Sequence, residues 1–212
     1  MAVHHHRSPT LQQLLEETPL LWRGRGRSAP ETQPSGYSEL DTLLPGRGWP
    51  IGALVELAPS NYGIGELSLP LPVLRSMANS GRPVALVRPP YIPYARGLWR
   101  AGVPLDRVLW IEKEADQEAR WAAEQLLRDG AGAVLLWTAT ADDRLLRRLQ
   151  LAAEVGRSIA FVYRPQENFQ HVSPAAVRIK LQTSGNALRV EVVKVRGGTP
   201  GAITLTLPWG WG

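Results

Sequence analysis

Apolar residues recur along the chain in short, nearly unbroken runs separated by amphipathic stretches. The runs fall at 53–57, 82–88, 108–112, 132–138 and 159–163. Their near-continuous apolar character predicts strands buried on both faces rather than strands with one wet side. The stretches between them carry helical spacing. Residues 71–79 and 94–101 predict short helices, the second stopped by Gly102. Residues 115–129 set Ala119, Ala122, Ala123, Leu126 and Leu127 on one face. A helix capped by Asp142 or Asp143 carries Leu145, Leu146, Leu149, Ala152 and Val155. Strands alternating with helices predict an α/β fold with a mainly parallel sheet flanked by helices. The pattern changes after Pro165. A polar loop over 165–174 leads into two runs with period-two alternation, 177–181 and 188–195, around Ser184-Gly185-Asn186, and 202–207 supplies a third. These predict an antiparallel C-terminal extension of the sheet.

The two ends differ from this body. Thr10 can cap a short amphipathic segment with Leu11, Leu14 and Leu15, which Pro19 ends, and Leu20, Leu21 and Trp22 follow. Residues 23–35 are rich in Arg, Gly and Pro and read as an extended arm. The chain divides into a 1–34 segment and arm, a 35–207 core, and a 208–212 aromatic tail. Leu14, Leu15, Leu20, Leu21 and Trp22 at one end, and Trp209 and Trp211 at the other, are partner-binding candidates, because Leu and Trp anchors make binding hot spots. The competing reading is that each strip folds back onto its own core.

Composition narrows the chemistry. The 212 residues, 44% hydrophobic and 20% charged, suffice for one domain with a substantial core. No stretch approaches the roughly 20 apolar residues of a membrane span. Cysteine is absent and the first residues lack an apolar core, so the expected location is cytoplasmic. The formal charge of +5, carried mostly by Arg, permits contact with nucleic acid or an acidic partner without requiring it. His4, His5 and His6 read as a tag remnant or a natural tract, and His171 lies in a polar loop. Glu112, Glu114 and Asp116 form an acidic cluster with no partner base and no metal cage, which reads as a solvated strand-to-helix loop. No Ser–His–Asp spacing and no metal-ligand spacing appears, so no catalytic residue, metal or cofactor is expected.

The stretch after the first buried run has the strand–loop–helix layout of a phosphate-binding loop, in which Gly amides surround phosphates, a Lys reaches them and a Ser or Thr holds magnesium. On that pattern Ala58 takes the first Gly position, Gly63 the second, Ile64 the Lys position and Gly65 the Ser/Thr position. Glu66 adds a negative charge where phosphates would lie, and Pro70 and Pro72 disturb the helix start. The loop reads either as a degenerate P-loop or as an ordinary glycine turn.

Ser35-Gly36, Leu40-Asp41, Gly48-Trp49-Pro50, Gly52 and Glu56 resemble the entry to the ATPase core of RecA. Such an ATPase also needs a carboxylate after the second core strand and an acidic residue ending a later one. Here those positions hold Arg88-Pro89-Pro90 and Trp137, the latter read as a core residue. Within the RecA-like group the chain resembles ImuA, the accessory protein of an SOS-induced translesion synthesis cassette. The matching pieces include Leu21-Trp22-Arg23-Gly24, residues 63–67, residues 90–95, Trp121 to Gln125, residues 143–154, Phe161 to Pro165, and residues 192–198. The resemblance implies a RecA-like core and a non-catalytic adaptor in error-prone DNA synthesis. The implied partners are an ImuB-like polymerase hub, through it an error-prone polymerase and the sliding clamp, and RecA, whose filament growth the protein would limit. Weak DNA contact, and association with the nucleoid on recruitment, go with that reading. Two others stay open. SulA proteins also carry a stripped RecA-like core, which implies a cell-division inhibitor that binds the division protein FtsZ. An altered loop could also serve a nucleotide-dependent ATPase.

Overall fold

The computed structural model describes residues 30–112 and 115–206. The expectations for Leu14, Leu15, Leu20, Leu21, Trp22, Trp209 and Trp211 lie outside the described residues, as does Glu114. In chain order the elements are β1 (Thr32–Gln33), α1 (Ser38–Leu43), β2 (Trp49–Pro50), β3 (Ala53–Pro59), α2 (Leu71–Asn79), β4 (Val84–Val87), α3 (Ala95–Arg100), β5 (Val108–Ile111), α4 (Asp116–Arg128), β6 (Ala133–Trp137), α5 (Asp143–Gly156), β7 (Ile159–Tyr163), β8 (Val177–Ser184), β9 (Ala187–Val195) and β10 (Gly201–Thr206). β1 and β2 form a small antiparallel ribbon. Among the described residues the remaining strands form one mixed sheet of order β10-β9-β8-β3-β7-β6-β4-β5. From β8 across to β5 neighbours run parallel, while β9 and β10 turn back antiparallel.

Strand side chains alternate between faces, and both faces of the sheet are covered at β3, β4, β6 and β7. Leu54, Ala85, Val134, Leu136, Ala160 and Val162 join the inner stripes of α4 and α5. Val55, Leu57, Leu86, Leu135, Phe161 and Tyr163 join Leu40 of α1 and Val73, Leu74 and Met77 of α2. This double burial is why the strands read as unbroken apolar runs. Trp49 meets Phe161 edge-on at 5.2 Å, and Trp137 stacks flat on Tyr163 at 4.5 Å.

The segment after β3 is not a phosphate-binding loop. Gly63 and Gly65 turn the chain at φ of +84° and +87°. One 3-10 turn, Glu66–Ser68, follows, and the α-helix begins only at Leu71, behind Pro70. An α-helix does not follow the glycines directly, as it does in a phosphate-binding loop, and the Glu66 carboxylate occupies the amide an anion would use. The Gly63 N–H donates to the Glu66 carboxylate, 3.1 Å from either oxygen. Ala58 is buried in β3, and Ile64 packs on the core. The expectation of a RecA-like core built around a degenerate P-loop is therefore corrected. The architecture is a mixed sheet with helices, and the loop is a glycine turn closed by its own carboxylate.

A buried charge cluster ties the later chain to the central strand. Glu56, fully buried in β3, accepts a 2.8 Å hydrogen bond from Arg164 Nη1 and another from Ser173 Oγ. Arg178 Nε stands 3.6 Å from Glu56 Oε1, a charge contact beyond hydrogen-bond range, and its guanidinium lies 4.4 Å over the Phe169 ring. The polar loop after Pro165 is anchored by these groups.

Candidate protein-docking surface

Parallel α/β sheets place ligands at the carboxyl ends of their strands, so that crevice comes first. It measures about 400 Å³ and is lined by Tyr62, Arg88, Asp116, Trp137, Thr138 and Thr140. Arg88 follows β4 with φ of +57° and pairs with Asp116 at 2.6 Å. Arg120 pairs with the same carboxylate and with Thr140, and the Thr138 and Thr140 hydroxyls each donate to Asp116 at 3.3 Å. These charges satisfy one another across the crevice floor. Asp116, expected in a solvated acidic cluster, is instead the hub of an ion-pair network, while Glu112 is exposed. Among the described residues no group of His, Cys, Asp or Glu could hold a metal ion.

The chemically distinctive surface lies at the sheet edge formed by β5. Pro89, Pro90 and Pro93 lack N–H groups and fix φ, so the connector after β4 can enter neither the sheet nor a helix before Tyr94. The six residues of α3 are too few to be stable alone. The helix is held by Leu98, which packs against the core, and is stopped by Gly102 at φ of +81°. Asn79 Nδ2 donates to the Gly102 carbonyl at 3.1 Å and fixes that stop to α2. A Cβ on Gly97 would stand 2.9 Å from the Tyr94 ring, so glycine there lets the ring lie over the helix. A Cβ added at Gly63 would stand 3.7 Å from the Tyr91 ring, so the glycine turn leaves open space beside that side chain.

This local structure holds apolar groups out in water. Ile92 is 77% exposed, Tyr91 66%, Trp99 64% and Trp110 46%, and Tyr94 is exposed beside them. No residue of α3 is fully buried. β5 bonds β4 on one side and ends the sheet on the other. Arg96, Arg100 and Arg107 are exposed in the same stretch of chain. Exposed Trp, Tyr and Ile interspersed with Arg along residues 91–110 have the composition of a protein-binding hot spot. Sequence reasoning placed partner contacts at the chain ends and missed this surface. Its signal was present: two Tyr and an Ile among three prolines, followed by a helix too short to bury them.

No family model matches the chain. It is 39% identical, over 105 residues and 48% of its length, to a protein from Edwardsiella piscicida named cell division inhibitor SulA. It is 31% identical, over 112 residues and 52% of its length, to the protein of that name from Photorhabdus laumondii. It covers 61% and 63% of these relatives, less than two thirds of their length. The solved structure of SulA from Pseudomonas aeruginosa matches with a TM-score of 0.44 and 23% identity, over 52% of this chain and 97% of that one. The identification as ImuA is therefore corrected: the curated relatives carry the SulA name. With it fall the adaptor role in translesion synthesis and the expected ImuB-like hub, error-prone polymerase, sliding clamp and RecA partners. The relatives' name describes an inhibitor, not an enzyme. Among the described residues no helix is long and apolar enough to cross a membrane.

Proposed function

We propose that this chain is a cell-division inhibitor of the SulA kind, produced in response to DNA damage, and that it acts by docking onto the division protein FtsZ. The observation that carries the reading is the 39% identity over 105 residues to a curated SulA. The α3–β5 surface supports it physically, because an inhibitor that works by binding needs exposed anchors rather than a reactive centre. Trp99, Trp110, Tyr91 and Ile92 are those anchors, and Arg96, Arg100 and Arg107 suit a target with acidic groups around its contact site. Such a mechanism is stoichiometric: each bound inhibitor removes one target molecule from assembly.

Two measurements test the proposal. Expression in a rod-shaped bacterium should give long cells without septa. Purified protein should lower the mass of sedimenting FtsZ polymers in proportion to its molar ratio. Normal division despite abundant folded protein, together with unchanged FtsZ sedimentation at molar excess, would overturn it. Inhibition at a small fraction of the FtsZ concentration would instead favour a catalytic mode of action.

A further inference from the structure

At the end of the sheet opposite β5, β10 bonds β9 on one side and, among the described residues, has no strand on the other. Edge strands ordinarily carry a Lys, a Pro or a bulge that stops another strand from pairing with them. β10 contains no charged residue and no Pro, and its register with β9 is unbroken. Its side chains alternate. Ala202, Thr204 and Thr206 are exposed on one face, while Ile203 and Leu205 join the core on the other. On that apolar face a Cβ added at Gly201 would stand 3.1 Å from Leu43 of α1.

The charges nearest this edge stand one strand in, on β9. Arg189 lies opposite Thr204 and Glu191 opposite Ala202, on the exposed face. Among the described residues neither side chain forms an ion pair, and Lys180, which faces Glu191 from β8, forms none either. Ala202 and Thr204 are short, so no long side chain of β10 screens these charges from a strand added at the edge. Two copies of one edge can pair antiparallel about a two-fold axis, and an axis normal to the sheet keeps the exposed faces continuous. The register then decides which charges meet. Centred on Thr204, the pairing sets Arg189 opposite Arg189 of the second copy. Centred on Ala202, it sets Glu191 opposite Glu191. Centred on Ile203, it sets Ala202 opposite Thr204, and Arg189 of each copy faces Glu191 of the other across those two short side chains. Ile203 then meets its own equivalent on the apolar face, and Leu205 lies opposite Gly201. Strands spaced by about 4.8 Å put the Arg189 and Glu191 backbones about 14 Å apart, so extended side chains bring the opposite charges well within a Debye length of about 8 Å.

Unblocked backbone, alternating faces and charge order agree on one occupant. We propose that β10 is a self-association edge: two copies of this chain pair antiparallel through residues 201–205 about Ile203, and Arg189 and Glu191 select that register. Five paired residues make a small interface, so the dimer is reversible. It joins two sheets into one and sets the two copies of β5 at its outer ends. This pairing is independent of the FtsZ reading and stands or falls by its own test.

Sedimentation equilibrium of the unaltered full chain should show a mass that rises with concentration towards twice that of one chain. A mass that stays at one chain up to about 0.5 mM would overturn the proposal. Arg189→Glu should weaken the dimer about tenfold, because it sets like charges face to face at two symmetric places, and Glu191→Arg should do the same. The two together should restore it. Dimers indifferent to both single changes, or a double variant as weak as the singles, would overturn the register. The chain has no cysteine, so single introduced thiols report the pairing directly. Ile203→Cys should form a disulfide between two chains at least about tenfold faster than Thr204→Cys, whose equivalents would stand diagonally about 7–8 Å apart, beyond disulfide reach. Mixing Thr204→Cys chains with Ala202→Cys chains should join the two kinds faster than either joins itself. Fastest self-linking at Thr204→Cys, or equal rates at both positions, would overturn the pairing about Ile203. Arg189 is exposed and Glu191 half-buried at the surface, so matching melting curves check that the charge variants keep the fold.

Discussion

Glu56 shows how one residue can hold a segment that has little apolar anchorage of its own. It is the sole acid paired with Arg164 and Arg178 in the ion pairs described for them, and both guanidiniums are buried. Each guanidinium also keeps its Nε without a hydrogen-bond partner among the described residues, so the cluster has no slack. Glu56→Ala should cost about 3–5 kcal/mol in a denaturant titration, because it leaves two buried cations uncompensated. Arg178→Met should cost less, since Arg164 then retains its carboxylate. Tyr163 makes a different residue-scale prediction. Burial, with the Glu66 and Tyr62 charges adding, raises its phenol pKa well above the ordinary 10.0. The folded state then keeps its proton where the unfolded chain loses it. Stability is full below pH 10 and falls as pH rises past it, since the unfolded chain binds fewer protons there. Tyr163→Phe forfeits the 3.3 Å hydrogen bond to the Glu66 carbonyl and should cost about 1 kcal/mol at pH 8. Its melting temperature should then decline less steeply than that of the parent between pH 9.5 and 11. A decline as steep as the parent's would assign the alkaline loss to Tyr37 and Tyr62, whose pKa values burial also raises.

At the scale of elements, α5 is defined by its two ends. Asp142, one of two caps the sequence offered, is the one used: its carboxylate accepts from Leu145 N–H at 2.8 Å. Asp142→Ala should cost about 1 kcal/mol and Asp143→Ala much less, measured by thermal melts. At the other end a Cβ on Gly156 would collide with the Leu127 carbonyl and lie 2.9 Å from the Arg128 carbonyl. Gly156→Ala should therefore cost about 1–3 kcal/mol by forcing the ends of α4 and α5 apart. The strands were legible because burial on both faces leaves unbroken apolar runs such as Val134 to Trp137. The same rule misled at β5, whose run Val108 to Ile111 looks buried yet leaves Leu109 and Trp110 exposed. An edge strand has a neighbour on one side only, and local apolar pattern does not encode which strand ends a sheet. The loop after β3 misled for a related reason. Gly63 and Gly65 are needed at positive φ for a turn, and glycine spacing alone does not distinguish such a turn from one that cradles phosphate. The element that decides it is the Glu66 carboxylate, which accepts from the Gly63 amide. The candidate site was least legible, since exposure is a property of the whole sheet and α3 carries no fully buried residue.

Considered whole, the molecule pairs its crevice charges internally and leaves aromatic and Arg side chains exposed along residues 91–110, which sets how a target would be captured. The carboxyl-end crevice closes its charges on Asp116, and the α3–β5 stretch exposes both aromatics and Arg. Rim charges govern encounter, whereas buried aromatic anchors govern dissociation. On the proposed docking to FtsZ, Trp99→Ala should weaken affinity by about 2 kcal/mol, roughly thirtyfold in Kd, mainly through faster dissociation. Arg96→Glu with Arg100→Glu should instead slow association and flatten its dependence on salt, leaving dissociation nearly unchanged. Trp99 and both Arg side chains are exposed, so none of these variants should move the melting temperature by more than a degree or two, consistent with surface changes within about 0.5 kcal/mol. Surface-immobilised FtsZ, read by an optical biosensor over a range of ionic strengths, separates the two rates. The same variants expressed in cells should restore septation in the order of their affinity loss. If Trp99→Ala bound and blocked division like the parent, the α3–β5 edge would not be the docking surface, whatever the target proved to be.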